Sequence, residues 1–85
     1  MKAKLIKEHS GTNFIGDLVT RRMYLLDPPY EGNRYVVTSS VTIEGDPETL
    51  VFPCKYNGEI ISSDELVIVY SLDPSEAIKK LGYNI

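Results

Sequence analysis

Turn-forming residues recur along this chain and divide it into short segments rich in β-branched and aromatic side chains. Valine and isoleucine together number 15, whereas alanine, the best helix former, occurs only twice. β-branched side chains suit a pleated, half-buried surface, and turns at this spacing are what several short antiparallel strands require. The pattern therefore predicts a mostly β fold. The turn signals are Ser10-Gly11, Asp27-Pro28-Pro29, Gly32-Asn33, Gly45-Asp46-Pro47, Asn57-Gly58 and Asp73-Pro74.

The length of the chain limits its organisation. Eighty-five residues, of which 42% are hydrophobic and 25% charged, make one globular domain and leave no room for a second. The longest uncharged apolar run, from Leu66 to Leu72, has seven residues, against the roughly 20 that a membrane-spanning helix needs. We therefore expect a single domain over residues 1–85 without a membrane partner. The N-terminal residues lack an apolar signal-peptide core, and the lone Cys54 excludes an intramolecular disulfide, which together indicate the cytoplasm.

Six segments have the residue pattern of strands. Residues 14–26, beginning at Phe14, also fit a helical stripe, and we prefer a strand there because the Asp27-Pro28-Pro29 turn stops it. Residues 28–33 should then form a hairpin loop longer than two residues, whereas Asn57-Gly58 is typical of a two-residue turn. Pro53 donates no N–H and so belongs at an edge or a bulge. The predicted strands are Lys2–Glu8, Leu18–Leu26, Arg34–Ile43, Thr49–Lys55, Glu59–Ser62 and Leu66–Tyr70.

The C-terminal segment changes to a helical pattern. Asp73 can cap the helix, Pro74 fits its first turn, and Glu76 can return a hydrogen bond to the backbone of the cap. Gly82 can end the helix. Because about nine residues are too few for a stable isolated helix, its apolar side must pack on the sheet. We thus expect a curled antiparallel sheet, or a small partly open barrel, of about five strands with one C-terminal helix at about residues 74–82.

The chain lacks the side chains of the common catalytic and metal sites. His9 is its only histidine, which rules out a site with two imidazole ligands, and one cysteine cannot form a cysteine zinc site. His9 adjoins a predicted turn, where a solvated histidine is the ordinary interpretation. Cys54 follows Pro53 on a predicted strand and is interpreted as a buried structural thiol. We therefore expect neither an enzyme nor a bound cofactor or metal ion.

Acidic and basic residues are unevenly distributed. Residues 1–34 have a net charge of +2 and residues 35–85 one of −5, which together give the net −3 of the chain. This balance argues against general duplex-DNA binding, which depends on basic side chains. Glu44, Asp46 and Glu48 cluster in a predicted exposed turn, where they could face a basic surface on a partner protein. The same charges also fit an ordinary solvated surface that keeps a small protein dispersed.

The tyrosines and the arginines permit another interpretation. Tyr30 and Tyr56 lie in predicted loops, where they do not readily join a core. With Arg21, Arg22 and Arg34 they could form a stacking and charged surface for single-stranded nucleic acid, as small β-barrels do. The remaining four tyrosines, which would cover the sheet and the helix, are Tyr24, Tyr35, Tyr70 and Tyr83.

A set of short motifs spans residues 24–83, namely Leu26-Asp-Pro-Pro29, Tyr35-Val-Val37, Glu48-Thr-Leu-Val-Phe-Pro53, Asn57-Gly58-Glu59, Glu65-Leu66, and Ala77 with Leu81-Gly82-Tyr83. In these motifs the chain resembles small uncharacterised proteins encoded by bacteriophages and related mobile elements. The motifs are structural, and no catalytic residue carries over from them. The resemblance implies a context, since small acidic phage proteins often act by binding and blocking a host protein.

Three functional hypotheses follow from these observations. The first is a non-enzymatic protein-binding module, such as a phage or mobile-element accessory protein or an inhibitor of a host defence protein. The second is an OB- or SH3-like module that binds single-stranded nucleic acid. The third is a self-assembling structural subunit that uses an exposed edge strand near Pro53 or in residues 66–70.

Overall fold

Five antiparallel strands and one helix make up the fold in the computed structural model, which describes residues 1–13 and 15–85. The elements are β1 (Lys2–Thr12), β2 (Leu18–Tyr30), β3 (Asn33–Ile43), β4 (Asp46–Cys54), β5 (Val67–Val69) and α1 (Pro74–Lys80). Each strand pairs with the next in sequence, so the sheet has the order β1-β2-β3-β4-β5 and does not close. The predicted mostly β fold with one C-terminal helix is confirmed. Phe14, which began the alternative helical interpretation, lies outside the described residues.

Two tight hairpin turns connect the central strands. Glu31 and Gly32 link β2 to β3, and both have a positive φ, of 48° and 82°. Glu44 and Gly45 link β3 to β4 in the same way, with φ of 51° and 84°. A positive φ at both positions is what a two-residue turn of type I′ requires. The longer loop predicted for residues 28–33 is therefore wrong. An exposed turn is present in residues 44–48, as predicted, but it uses only Glu44 and Gly45.

The first two strands are longer than predicted. β1 runs straight through Ser10-Gly11, which the sequence indicated as a turn. The predicted strand Leu18–Leu26 is part of β2, but β2 also continues through Asp27-Pro28-Pro29. Regular pairing of β2 with β3 stops at Leu25 and resumes only at Tyr30, so neither proline has to donate a hydrogen bond to β3.

The segment after β4 forms less sheet than predicted. Residues 59–62 make only an isolated bridge, in which Cys54 pairs with Ile60, instead of a strand. β5 is limited to three half-buried residues, and Tyr70, predicted to lie in this buried strand, is 76% exposed. Pro53 lies beyond the part of β4 that pairs with β5, which places it at a local edge, as predicted.

The start of α1 is capped as the sequence predicts, with one difference. The carboxylate of Asp73 accepts the N–H of Ser75 at 3.0 Å, and Pro74 occupies the first helical position. The N–H of Asp73 donates to the hydroxyl oxygen of Ser71 at 3.1 Å. Ser71 thus supplies the acceptor that the sequence assigned to Glu76.

The end of α1 turns the chain back towards the first strand. Gly82 has a φ of 99°, and the N–H of Gly82 and that of Tyr83 donate to the carbonyls of Lys79 and Ile78. This pair of bonds needs a residue in the left-handed region, which glycine adopts without strain. Two residues later the backbone of Asn84 bonds to the start of β1, through Met1 and Ala3.

The helix covers only one face of the sheet. Successive residues of a strand point to opposite faces, so the covered face has every second residue of each strand. On it, Tyr24, Val36 and Val51 from β2, β3 and β4 are at most 1% exposed, and Ile78 of the helix packs against this cluster. The core consists of Ala3, Tyr24, Leu26, Val36, Val51, Ala77, Ile78, Leu81 and Tyr83.

The other side of the sheet, which we call the open face, has no helix on it. A smaller buried cluster of Met23, Val37 and Cys54 lies there, with Ile60 packed against it. On β3, Tyr35, Val37, Val41 and Ile43 make the open face the more apolar one, but the helix packs on the opposite face. As a result Thr38, a polar residue of the covered face, is fully buried.

Truncation of Leu81 tests the packing of the helix. Leu81 is 8% exposed within the core, so Leu81→Ala should lower the free energy of unfolding by about 2–5 kcal/mol through lost contacts and a cavity. The matched control is Leu72→Ala, since Leu72 is 52% exposed and its loss should cost less than about 0.5 kcal/mol. Urea unfolding measures both, and equal midpoints would contradict the observed packing.

Acid titration tests the helix cap. The hydrogen bonds from the Ser75 hydroxyl and N–H lower the pKa of Asp73, so its ionised form stabilises the folded state above the unfolded pKa of about 3.9. That contribution is lost as the pH falls through the lowered folded-state pKa. Asp73→Asn keeps an acceptor but no charge, so its thermal midpoint should lie below that of the wild type at pH 6 and converge with it in acid. A difference that stays constant with pH would exclude the assigned role.

Candidate partner-binding surface

A chain of buried hydroxyl groups connects β3, β4 and the segment after β5. Thr49 is fully buried and donates its hydroxyl hydrogen to the carbonyl of Ser71 at 2.7 Å. The oxygen of Thr49 is then the acceptor for the hydroxyl of Ser40, also 2.7 Å away. Ser71 in turn accepts the N–H of Asp73, the helix cap. These bonds hold residues 70–72 against the sheet and join them to the start of the helix.

The two neighbours of Ser71 are large, apolar and exposed. Tyr70 is 76% exposed and Leu72 is 52% exposed, although the backbone between them is held by the buried Thr49. A large apolar side chain that is held at the surface is ready to be buried by another molecule, with little loss of conformational freedom on binding.

Tyr70 and the β3–β4 hairpin enclose a groove of about 560 Å³. Ile43, which is 49% exposed, provides an apolar wall, and Glu44, Asp46 and Glu48 provide carboxylates. None of the described residues that line this groove is basic. We call Ile43, Glu44, Asp46, Glu48 and Tyr70 the acidic end of the molecule. The structure thus brings together the three carboxylates that the sequence singled out, although Asp46 and Glu48 lie in β4 rather than in a turn.

A smaller groove of about 190 Å³ lies on the helix-covered face at the same end of β2 and β3. Leu72 and Leu18, the latter 63% exposed, line it together with Thr42 and Asp17. This groove extends the exposed apolar surface around residues 70–72 and adds a carboxylate but no basic side chain among its described residues.

The three arginines of the proposed nucleic-acid surface do not lie together. Arg21 is exposed on the open face, whereas Arg22 points to the covered face and forms an ion pair with Glu8. The side chain of Tyr24 and then that of Glu8 raise the pKa of Arg22. Arg34 is five positions along β3 from the residue that pairs with Arg21, a distance of roughly 16 Å.

The two tyrosines of that surface also have different environments. Tyr30 is half-buried at the end of β2 and packs against the core, so the prediction that it lies in a loop outside the core is wrong. Tyr56 is 74% exposed, as predicted, and its ring meets that of Tyr35 edge-on, with centroids 5.5 Å apart. The five residues proposed for nucleic-acid binding are therefore spread over both faces and one end of the sheet.

The side chains with the greatest chemical reactivity lie apart from one another. Cys54 is 4% exposed on the open face, and burial raises the pKa of its thiol, as fits the structural role that the sequence indicated. His9 is exposed, but it lies within β1 and not in the predicted turn. Within residues 1–13 and 15–85 no three histidine, cysteine, aspartate or glutamate side chains are placed to hold a metal ion.

Sequence reasoning missed the apolar part of this surface. Residues 66–70 read as a buried strand because every position is apolar, and this pattern concealed the exposure of Tyr70. The one available signal for the exposure of Tyr70 was the pair Ser71 and Asp73, because these residues mark the end of the strand and the start of the helix cap.

Comparisons with protein-family models, with curated proteins and with solved structures found no match for the chain. No helix in the described part of the chain has the length and the apolar character needed to cross a membrane.

Removal of one buried hydroxyl tests how residues 70–72 are held. Thr49→Val keeps the shape of the side chain but leaves the Ser71 carbonyl and the Ser40 hydroxyl without their partner, which should cost about 1–3 kcal/mol. The amides of residues 70–72 should also exchange with solvent faster than in the wild type. The control is Thr42→Val, because Thr42 is half-buried in β3 and lies on the same helix-covered face of the sheet as Thr49. Unchanged exchange in Thr49→Val would mean that the hydroxyl chain does not hold the segment.

Proposed function

We propose that this protein is a non-enzymatic module that binds a basic surface of a partner protein through its acidic end. The observation that carries the proposal is the joining of two exposed apolar side chains, Ile43 and Tyr70, with three carboxylates around one groove. The resemblance to small phage proteins adds a context, in which the partner is a host protein, such as a component of a defence system, that is blocked when bound in the cytoplasm.

The composition of the acidic end has the two parts that protein interfaces need. Tyrosine is enriched among the residues that dominate binding energy, and such residues lie in an apolar centre surrounded by a polar rim. Tyr70 and Ile43 are suited to the centre, and Glu44 and Asp46 to the rim. Exposed rim charges mainly raise the association rate with an oppositely charged surface and add little to the affinity itself.

The alternative hypotheses gain less support from the geometry. The five residues proposed for single-stranded nucleic acid are dispersed, as described above. For self-assembly through residues 66–70, β5 is only three residues long, and its Ile68 carbonyl accepts a hydrogen bond from the Lys80 ammonium at 3.3 Å. A short edge strand that is capped in this way is a poor template for another strand.

Matched variants test the proposed surface against host lysate. The immobilised wild type should retain a protein that Tyr70→Ala loses and that Tyr56→Ala retains, since Tyr56 is equally exposed but distant from the acidic end. With the purified partner, Tyr70→Ala should weaken affinity by about 30-fold or more, the effect of an interface anchor worth about 2 kcal/mol.

Charge reversal separates steering from packing. Glu44→Lys with Asp46→Lys should slow association and flatten its dependence on salt, whereas Asp64→Lys with Glu65→Lys, two exposed acids outside the groove, should change neither as strongly. Circular dichroism confirms that each variant is folded. The proposal would be contradicted if Tyr70→Ala and Tyr56→Ala retain the partner equally and the two charge variants have the same association rate and salt dependence.

A further inference from the structure

A third groove runs along β1 and β2 on the open face, and its Val19 lies two strands across from Glu48 of the acidic end. Two adjoining sections form it, of about 250 Å³ and about 150 Å³, and both are lined by His9 and Arg21. The larger section continues to Gly11 and Asn13, and the smaller one is bounded by Gly58 of the loop after β4. The basic side chains therefore lie where the two sections meet.

The electrostatics of this groove differ from those of the neighbouring positions on the same strands. His9 lies directly opposite Arg21, and Lys7 lies two residues away on the same face. On the other face the next pair in the register, Glu8 and Arg22, consists of opposite charges that form an ion pair. No acidic residue is among the described residues that line either section of the groove, and neither Lys7 nor Arg21 has an ion-pair partner in the described chain. The like charges of Lys7 and Arg21 on neighbouring strands repel one another, and an anion between them would relieve this repulsion.

A glycine near the C-terminal end of β1 opens the groove. Gly11 pairs with Val19 within the strand, and its φ is not in the left-handed region, so backbone geometry does not demand glycine there. A Cβ at this position would come within 3.6 Å of the His9 ring, in space that the groove now occupies. Glycine inside a strand weakens the strand and often marks a place where a ligand approaches the backbone.

The rest of the lining suits a ligand with uncharged rings on both sides of an anion. Val19 lies in one section, and Met23 and Val37 provide an apolar floor in the other. The smaller section thus has an apolar floor and a rim of polar side chains. The two asparagines, Asn13 and Asn57, each use the side-chain oxygen to accept a backbone N–H, which leaves their NH₂ groups as donors.

We infer that this groove binds a phosphodiester-linked pair of nucleotides, with the phosphate between Lys7, His9 and Arg21 and one nucleoside in each section. Arginine and lysine are suited to phosphate oxygens, the arginine through two parallel hydrogen bonds. The ligand is either a free dinucleotide or a stretch of single-stranded nucleic acid, since both present the same unit. The site shares no lining residue with the acidic end and uses only one of the three arginines that the sequence suggested for nucleic acid.

Titration of the folded protein with defined probes tests the inference. The probes are the dinucleotide pTpT, the oligonucleotide dT8 and a peptide of four glutamates. Binding of each probe is measured at low salt by amide chemical shifts and by calorimetry. We expect pTpT to bind and to shift the amides of residues 7–11 and 57–58, and to bind more tightly than the peptide. Binding of dT8 as well identifies a strand as the source of the ligand, whereas its failure to bind identifies a free dinucleotide.

Four variants locate the binding. Arg21→Gln and Gly11→Val, which fills the groove with a residue favoured in strands, should each weaken pTpT binding by about tenfold or more. Arg34→Gln removes the same charge outside the groove and should leave it unchanged, as should Tyr70→Ala in the acidic end. If Gly11→Val does not fold, the comparison of pTpT binding by Arg21→Gln and by Arg34→Gln decides whether the inference holds. The inference is overturned if pTpT does not bind at about 10 mM, if the peptide binds more tightly, or if Arg34→Gln is as damaging as Arg21→Gln.

Discussion

The packing of one short helix against one face of the sheet is the contact on which the rest of this structure depends. α1 has seven residues and is therefore about 10 Å long, whereas the molecule extends over 36 Å. Ile78, Leu81 and Tyr83 fill the centre of the covered face, and the hydroxyl of Tyr83 donates to the Pro28 carbonyl at the far end of β2. Burial, with lesser contributions from Tyr30 and Asp27, raises the pKa of Tyr83, which keeps this donor protonated. Because the helix is short, it leaves one end of the covered face exposed. The other face carries the smaller cluster of Met23, Val37 and Cys54, with Ile60 packed against it.

The same residues that hold the helix also shape the proposed contact surface. Ser71 accepts the N–H of the helix cap on its hydroxyl and the hydroxyl of Thr49 on its carbonyl. Residues 70–72 therefore cannot move without loss of bonds to both the cap and the sheet. This coupling gives Tyr70 and Leu72 a fixed backbone, which is the condition under which exposed apolar side chains bind with little loss of conformational freedom.

The net charge of −3 conceals a separation of charge across the molecule. The acidic end collects carboxylates from the β3–β4 hairpin, and the groove along β1 and β2 collects Lys7, His9 and Arg21 on the open face. The two regions would attract ligands of opposite charge, and both lie on the open face. Arg21 is two strands across and two residues along from Glu48, a distance of roughly 12 Å. A protein of this size can present two surfaces with different chemistry, since the fields of exposed charges decay within about 8–10 Å at physiological salt.

Local chemistry in the sequence determined the strand-rich fold, the C-terminal helix with its Asp73 cap and Gly82 end, and the burial of Cys54. The strand-rich fold depends on the many β-branched residues, the cap on a side-chain oxygen that accepts a free N–H, and the helix end on the ability of glycine to adopt a positive φ. Each of these can be recognised from residues that are neighbours in the sequence. Only the tertiary structure decided which face of the sheet the helix covers, because both faces of β3 carry valines. That choice buried Thr38 and Thr49 and left Tyr70 exposed. It also placed Arg21 and Arg22, adjacent in sequence, on opposite faces, since the direction of a side chain follows from the register of a strand and not from its charge.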